Sequence, residues 1–154
     1  MLYTDNGTAD QIRFITVHCS ATPPKAAARQ TIKDIDKMHR EREFDMAGYH
    51  VFIRRDGTVE FGRAFGHKGA HVRWKNANNI GVCLAGGVDN SLSPVEGGGY
   101  SPHQWMALER VLRSLCLMFP EARCRGHRDF PGVAKACPCF CVEERFRNVR
   151  GVNV

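Results

Sequence analysis

"YHVFIRRDGTVEFGR", residues 49–63, predicts a β-hairpin. Its Asp56-Gly57 pair stands between two runs rich in β-branched and aromatic residues. An Asp-Gly pair in such a setting is the strongest short-range signal for a tight turn between antiparallel strands. We therefore expect two antiparallel strands here, to which other strands can be added.

Two further apolar runs predict strands on either side of this hairpin in the chain. "IRFITVH", residues 12–18, is rich in β-forming residues, and the prolines of the following "CSATPP" should end it in a loop. "NIGVCLAGG", residues 79–87, predicts a central strand that two glycines end, after a polar loop over 62–78. The segment 88–100 should be an exposed connection.

The first predicted helix lies in "TIKDIDKMHREREF", residues 31–44. Charged residues separate positions that recur at the helical period, which indicates a surface helix. These positions are Ile32, Ile35, Met38 and His39.

A second helix should begin after Ser101, because Ser101 and Gln104 match a capping box and Pro102 suits the first helical position. A short segment "ARCRG" (122–126) follows, and a last helix is expected around "VEERFRNV" (142–149). The apolar face of the second helix comprises Trp105, Leu108, Val111, Leu112, Leu115 and Phe119.

The order of these elements predicts an α/β fold of the α+β-like kind, with a central mixed β-sheet flanked by helices. A length of 154 residues suits one domain over 1–154. No window approaches the roughly 18 apolar residues that span a bilayer, and the first residues lack a signal-peptide pattern. We therefore expect synthesis in the cytoplasm and no stable membrane insertion. A monomer is the expected state, although no sequence pattern bears on it.

The net charge indicates the kind of partner, and the cysteine content bears on disulfide bonds. The formal charge of +6 and pI near 9.1 favour an anionic partner such as nucleic acid, cell wall or lipid headgroups, and a merely solvated basic surface is the alternative. Seven cysteines make an odd number, and Cys19, Cys83 and Cys116 lie in apolar runs. They should behave as small hydrophobes, so a disulfide framework is not expected.

One short stretch, "HRDFPGVAKACPCFC" (127–141), contains a histidine and three cysteines. It fits either a closed structural zinc site or one wall of an open catalytic site. Alternate residues of an extended segment lie roughly 7 Å apart on one side, which is awkward for three thiolates on one ion. His127 and Cys137 could instead fold together across the "FPG" turn, with His18 at a strand end as the third ligand.

Four stretches, "VHCSAT", "GYHVFIRRDGTVEFGR", "NIGVCLAGG" and "GHRDFPGVAKACPCF", in this order resemble the type 2 N-acetylmuramoyl-L-alanine amidases. These are zinc enzymes found among phage endolysins and related to peptidoglycan recognition proteins. The similarity covers about residues 12–148. It implies hydrolysis of the bond between N-acetylmuramic acid and L-alanine in peptidoglycan.

The resemblance also implies roles for individual residues. One zinc ion per chain should be held by His18, His127 and Cys137. Tyr49 and Lys135 match positions that assist catalysis; otherwise they are a half-buried strand tyrosine and a surface lysine. A sixth residue, His71, matches a histidine that lines the substrate groove, and an exposed loop histidine is the alternative. Of the other histidines, His50 should be structural and three should lie at the surface: His39, His67 and His103.

Amide hydrolysis needs a nucleophile at neutral pH and stabilisation of an oxyanion, and zinc can supply both. Two neutral histidines and one thiolate leave one net positive charge at such a site. Lys135 could add positive charge where the oxyanion develops, and the Tyr49 hydroxyl could orient the water or relay its proton.

The sequence supports three other functions less well. A glycosidase would need facing carboxylates, for which Glu60 with Glu41 or Glu43 could be proposed. A wall-binding module without catalysis would resemble relatives that lose the cysteine ligand, but Cys137 is present. A nucleic-acid protein could use "RCRGHR" and "RFRNVR", which lack interleaved aromatic residues.

The resemblance extends to partners and location. Some phage amidases of this type bind and inhibit their phage's RNA polymerase, and the sequence leaves such an interaction open. An endolysin would stay in the host cytoplasm until a membrane lesion gives it access to the cell wall. Cys141 stands where relatives carry aspartate, at the start of the last predicted helix, where it should cap poorly.

Overall fold

The computed structural model describes residues 5–154, and a five-stranded sheet forms their centre. β2 and β3 are antiparallel, whereas β1 pairs in parallel with β4 and β5, and β2 pairs in parallel with β4. The predicted mixed sheet is confirmed, with β4 at its middle in the order β3-β2-β4-β1-β5. The strands are β1 (Phe14–Cys19), β2 (Val51–Ile53), β3 (Val59–Phe61), β4 (Asn79–Leu84) and β5 (Arg123–Gly126).

The hairpin closes where the sequence predicts it. The Arg54 N–H donates to Thr58 O at 2.9 Å, and the Gly57 N–H donates to Arg54 O at 2.9 Å. Gly57 adopts a φ of +86°, a conformation that an ordinary side chain would strain. The local turn chemistry therefore sets the register of β2 and β3.

The helices lie against both faces of the sheet. They are α1 (Pro24–Ala27), α2 (Ile32–Arg40), α3 (Pro102–Met118) and α4 (Val142–Phe146). The capping box of Ser101 and Gln104 at α3 is confirmed. The short α1 differs from the predicted loop, because Pro24 occupies a first-turn position that tolerates proline. The last helix has the predicted start and ends earlier than predicted.

Two hydrophobic clusters separate the faces of the sheet. One joins β1 residues Val17 and Cys19 to Leu108 and Leu112 of α3. The other joins Phe52 and Cys83 to the α1 and α2 side, with Ala27, Ile35, Ala47 and Ala85. All seven cysteines are free. Five are buried, and they include the three that the apolar runs predict: Cys19, Cys83 and Cys116.

The assignment of His39 to the surface was wrong. Its side chain is buried, and its Nδ1 accepts the N–H of Gly48 at 2.8 Å. His39 lies four residues after Ile35, so both occupy the face of α2 that packs on the sheet. His67 and His103 are exposed, as expected.

His50 has the expected structural role. Its Nδ1 accepts the Gly81 N–H at 2.9 Å, and its Nε2 lies 2.8 Å from the His67 carbonyl oxygen. Both ring nitrogens are therefore occupied within the fold. Within residues 5–154, no helix combines the length and the apolar character needed to cross a membrane.

Candidate metal centre

His18 and His127 meet because two parallel strands end side by side. β1 and β5 pair with Val17 opposite Gly126, so the residues that follow them, His18 and His127, lie side by side at the same end of the sheet. The ring centroids of His18 and His127 lie 4.5 Å apart. Loops at such an edge are supported by a rigid sheet, which makes them suitable carriers of functional side chains.

Cys137 reaches this edge on the loop that follows β5. The Arg128 N–H donates to Cys137 O at 2.9 Å, which folds the loop back on the turn that carries His127. Cys137 Sγ also accepts the backbone N–H of Cys19 at 3.2 Å. These two hydrogen bonds hold the thiol beside the end of β1.

The structure thus brings the three predicted ligands together. One ligand atom each from His18, His127 and Cys137 forms a group whose members all lie within 4.8 Å of one another. His18 Nδ1 is 3.8 Å from Cys137 Sγ, and tetrahedral zinc with ordinary bond lengths would hold such atoms about 3.6 Å apart. Two imidazoles and a thiolate form a donor set that suits zinc and leaves a fourth position open.

The other two cysteines of the 127–141 stretch lie outside this group. Cys139 is buried and its Sγ donates to Gly87 O at 3.2 Å, whereas Cys141 is the N-cap residue of α4. In the part of the chain that the structure describes, the metal-competent group contains neither of them. The geometry therefore favours an open site over a self-contained thiolate cluster.

Burial keeps the histidines of the site neutral. Burial, followed by the neighbouring His71 and His127, lowers the pKa of His18 well below its ordinary value of 6.5. Burial and the nearby Lys135 also lower the pKa of His127. A neutral imidazole offers the lone pair that a metal ligand needs, so both side chains are in the protonation state that binds zinc.

Tyr49 lies beside His18, and Lys135 lines a cleft with His127. The Tyr49 ring centroid is 5.1 Å from that of His18, and burial raises the pKa of the phenol well above 10.0. Lys135 is exposed and lines an open cleft of about 650 Å³ together with His127 and His71. Their catalytic roles stay predictions from the resemblance.

His71 lies at the wall of the same cleft, but its polar atoms face inward. Its Nδ1 lies 2.9 Å from His18 Nε2, and its Nε2 is buried without a hydrogen-bond partner among the described residues. Burial, followed by the neighbouring ionisable His50, lowers the pKa of His71 well below 6.5. The alternative of an exposed loop histidine was wrong.

The sequence analysis missed residues that support the site. Asn76 Oδ1 accepts the N–H groups of His71 and Val72, each at 2.8 Å. The Tyr100 hydroxyl donates to Pro138 O at 2.7 Å and fixes the loop next to Cys137. A glycine inside a strand signals close approach of another group, and this signal in "NIGVCL" could have indicated a neighbour at Gly81.

Comparison with known proteins identifies the family and the fold. The endolysin of Enterobacteria phage K11 is 42% identical over 124 residues, covering 80% of this chain and 78% of the relative. The amidase LysC from Clostridium intestinale superposes with a TM-score of 0.72 at 24% identity over 94% of this chain and 91% of that one.

The fold also occurs in a second class of protein. Drosophila PGRP-LB gives a TM-score of 0.73 at 21% identity over 97% of this chain and 86% of its own. Residues 8–140 match the family described as N-acetylmuramoyl-L-alanine amidase. The fold, the matched residues and the endolysin relative together show that this chain belongs to the N-acetylmuramoyl-L-alanine amidase family.

Proposed function

We propose that this protein hydrolyses the amide bond between N-acetylmuramic acid and L-alanine in peptidoglycan, with one zinc ion held by His18, His127 and Cys137. The observation that carries the proposal is the convergence of these three ligand atoms within 4.8 Å, with His127 also lining a cleft. Membership of the N-acetylmuramoyl-L-alanine amidase family indicates which bond is hydrolysed.

When bound, zinc would acidify a water molecule and polarise the amide carbonyl. Lys135 extends from the exposed loop two residues before Cys137, where its ammonium group can stabilise negative charge on the carbonyl oxygen. The Tyr49 phenol lies beside His18 and is protonated at neutral pH, since its ordinary pKa of 10.0 is already above neutral and burial raises that pKa further. It can therefore donate a hydrogen bond or pass a proton to the leaving nitrogen.

The cleft explains access of the substrate. Its lining residues include Phe44 and Arg73 as well as the site histidines, so it combines an apolar surface with positive charge. Peptidoglycan stem peptides carry carboxylates, which a basic surface attracts. The net charge of +6 also favours binding of an anionic substrate.

As a phage endolysin, the protein would act on the wall after the host membrane is permeabilised. Expression in the cytoplasm of a sensitive bacterium should cause lysis only when the membrane is breached by a co-expressed pore or by a solvent. Lysis of cells whose membranes are shown to be intact would contradict this location.

Glu60 and Glu41, one of the carboxylate pairs that a glycosidase could use, lie apart in the part of the chain that the structure describes. Glu60 Oε2 accepts the backbone N–H of Ile32 at 2.6 Å, at the start of α2. Glu41 follows the last residue of that nine-residue helix, roughly 13 Å away along its axis. Retaining and inverting glycosidases hold their carboxyl groups within about 9.5 Å.

Digestion of purified peptidoglycan followed by mass spectrometry tests the proposed bond. Release of stem peptides with a free N-terminal L-alanine, abolished by a chelator and restored by zinc, is the expected result. New reducing sugar ends would indicate a glycosidase. Retention on the wall without any product would indicate a binding protein.

A further inference from the structure

The position of the His71 side chain conflicts with a direct contact between this residue and the substrate. A side chain that recognises a substrate must present a polar atom to it. One ring nitrogen of His71 lies 2.9 Å from His18 Nε2, and the other is buried. The cleft-facing part of the ring is therefore carbon.

The bond to His18 has a defined direction once His18 binds a metal. His18 Nδ1 is the nitrogen that faces Cys137 Sγ, at 3.8 Å, so this nitrogen provides the lone pair. His18 Nε2 then carries the proton, and this N–H donates a hydrogen bond to His71 Nδ1. His71 in turn must carry its own proton on Nε2, since a neutral imidazole has one N–H.

The fold holds the His71 ring in place from both sides. A Cβ at Gly69 would lie 2.4 Å from His71 Cδ2, and a Cβ at Gly81 would lie 2.8 Å from His71 Cγ. Both glycines thus leave space that the imidazole fills. The side chain of Asn76 fixes the backbone of the same segment by accepting the His71 N–H at 2.8 Å.

We infer that His71 is a positioning residue that orients the zinc ligand His18 by accepting a hydrogen bond from its Nε2. Partners of this kind fix the tautomer and ring orientation of a ligand histidine, and their loss typically weakens metal affinity 10–100-fold. The inference rests on the zinc site of the proposed function.

Zinc affinity, measured by competition with a chromophoric chelator, separates the alternatives. His71→Leu removes the acceptor, and we expect it to weaken zinc binding about 10–100-fold. His71→Asn keeps an acceptor oxygen near the position of Nδ1 and should recover most of the affinity. The exposed His67→Leu is the matched control and should bind zinc like the wild type.

The outcomes are distinct. Wild-type protein that binds no zinc would refute the proposed function itself. If the wild type binds zinc and His71→Leu binds it with equal affinity, the positioning role alone is overturned. A raised KM in that variant would then indicate that His71 contacts the substrate. Thermal unfolding of both variants without metal reports whether the fold is intact.

A measurement on the unmutated protein keeps the inference testable if His71→Leu does not fold. Long-range proton–nitrogen NMR spectra of the zinc-loaded enzyme distinguish protonated from unprotonated ring nitrogens. We expect a proton on Nε2 of both His18 and His71. A proton on His71 Nδ1 would contradict the inference, because that nitrogen could not then accept from His18.

Discussion

The backbone N–H of Cys19 donates to Cys137 Sγ at 3.2 Å, joining residues that are 118 positions apart in the chain. An amide donor stabilises a thiolate, which is the form of cysteine that binds a metal. Since the donor belongs to the backbone at the end of β1, it is placed by the sheet that also positions His18. The same strand end thus supplies one proposed ligand and supports another.

Replacement of a ligand should remove zinc. Cys137→Ala leaves two imidazoles, which are too few for a stable zinc site, so we expect metal content to fall from about one ion per chain to a small fraction. Hydrolysis of peptidoglycan should be lost with it. Elemental analysis after dialysis measures the change, with Cys116→Ala as a buried-cysteine control that keeps its zinc. Full zinc occupancy in Cys137→Ala would refute the ligand assignment.

Tyr49→Phe and Lys135→Ala should separate catalysis from metal binding. Neither side chain belongs to the ligand group, so zinc content should stay near one ion per chain. Loss of an acid/base or oxyanion group should lower kcat roughly 10²-fold or more. Steady-state hydrolysis of a muropeptide gives kcat and KM, and Lys75→Ala provides a control for removal of an exposed lysine. Wild-type turnover in both variants would exclude these roles.

Cys141→Asp should stabilise the fold. Cys141 is the N-cap residue of α4, and its side chain makes no capping hydrogen bond. Aspartate can accept a backbone N–H there and interacts favourably with the helix dipole, which is worth about 0.5–2 kcal/mol. Urea unfolding measures the gain, and zinc content should not change.

The neighbouring Cys139→Ser is the companion variant. A serine hydroxyl can replace the thiol that donates to Gly87 O, so stability and metal content should both stay close to those of the wild type. Loss of zinc from either variant would support the closed thiolate cluster instead of the open site.

Lowering the pH should reduce the free energy of unfolding, because the buried His50 resists protonation in the folded protein. Burial lowers the pKa of this histidine from 6.5 to about 4. Between these values the unfolded chain binds a proton that the folded protein does not, so stability is complete above pH 6.5 and falls as pH drops towards 4. Over that whole window the loss from this one group is on the order of 3 kcal/mol.

Urea unfolding of the metal-free protein at several pH values tests this contribution. His50→Gln should show a shallower loss of stability between pH 7 and pH 4 than the wild type. The exposed His103→Asn is the control and should follow the wild-type curve. An unchanged pH dependence in His50→Gln would contradict the contribution of His50.

Gly81→Ala should disturb the site through His71. The added methyl group would lie 2.8 Å from the imidazole, so either the ring or β4 must shift. Overpacking of this kind costs about 1–3 kcal/mol, and displacement of His71 should also weaken zinc binding.

The double variant Gly81→Ala/His71→Ala provides the control, because removal of the ring makes room for the methyl group. It should regain stability and still bind zinc weakly, a non-additive result that denaturation and chelator competition can detect. Normal zinc affinity in Gly81→Ala would show that the position of the ring is unimportant.

The sequence by itself determined the elements whose signals are local. Asp56-Gly57 predicts the hairpin, and Ser101 with Gln104 predicts the start of α3, because both depend on residues within a few positions of one another. Family resemblance predicted three metal ligands, and the fold brings the corresponding side chains together.

Only the tertiary structure decided how those ligands are supported. The burial of His39, the inward orientation of His71 and the approach of Cys19 to Cys137 all depend on contacts between segments far apart in the chain. Local patterns contain no information about which distant groups will meet across a sheet edge. Parallel pairing of β1 with β5 creates that edge, and the pairing arises from long-range packing rather than from any short motif.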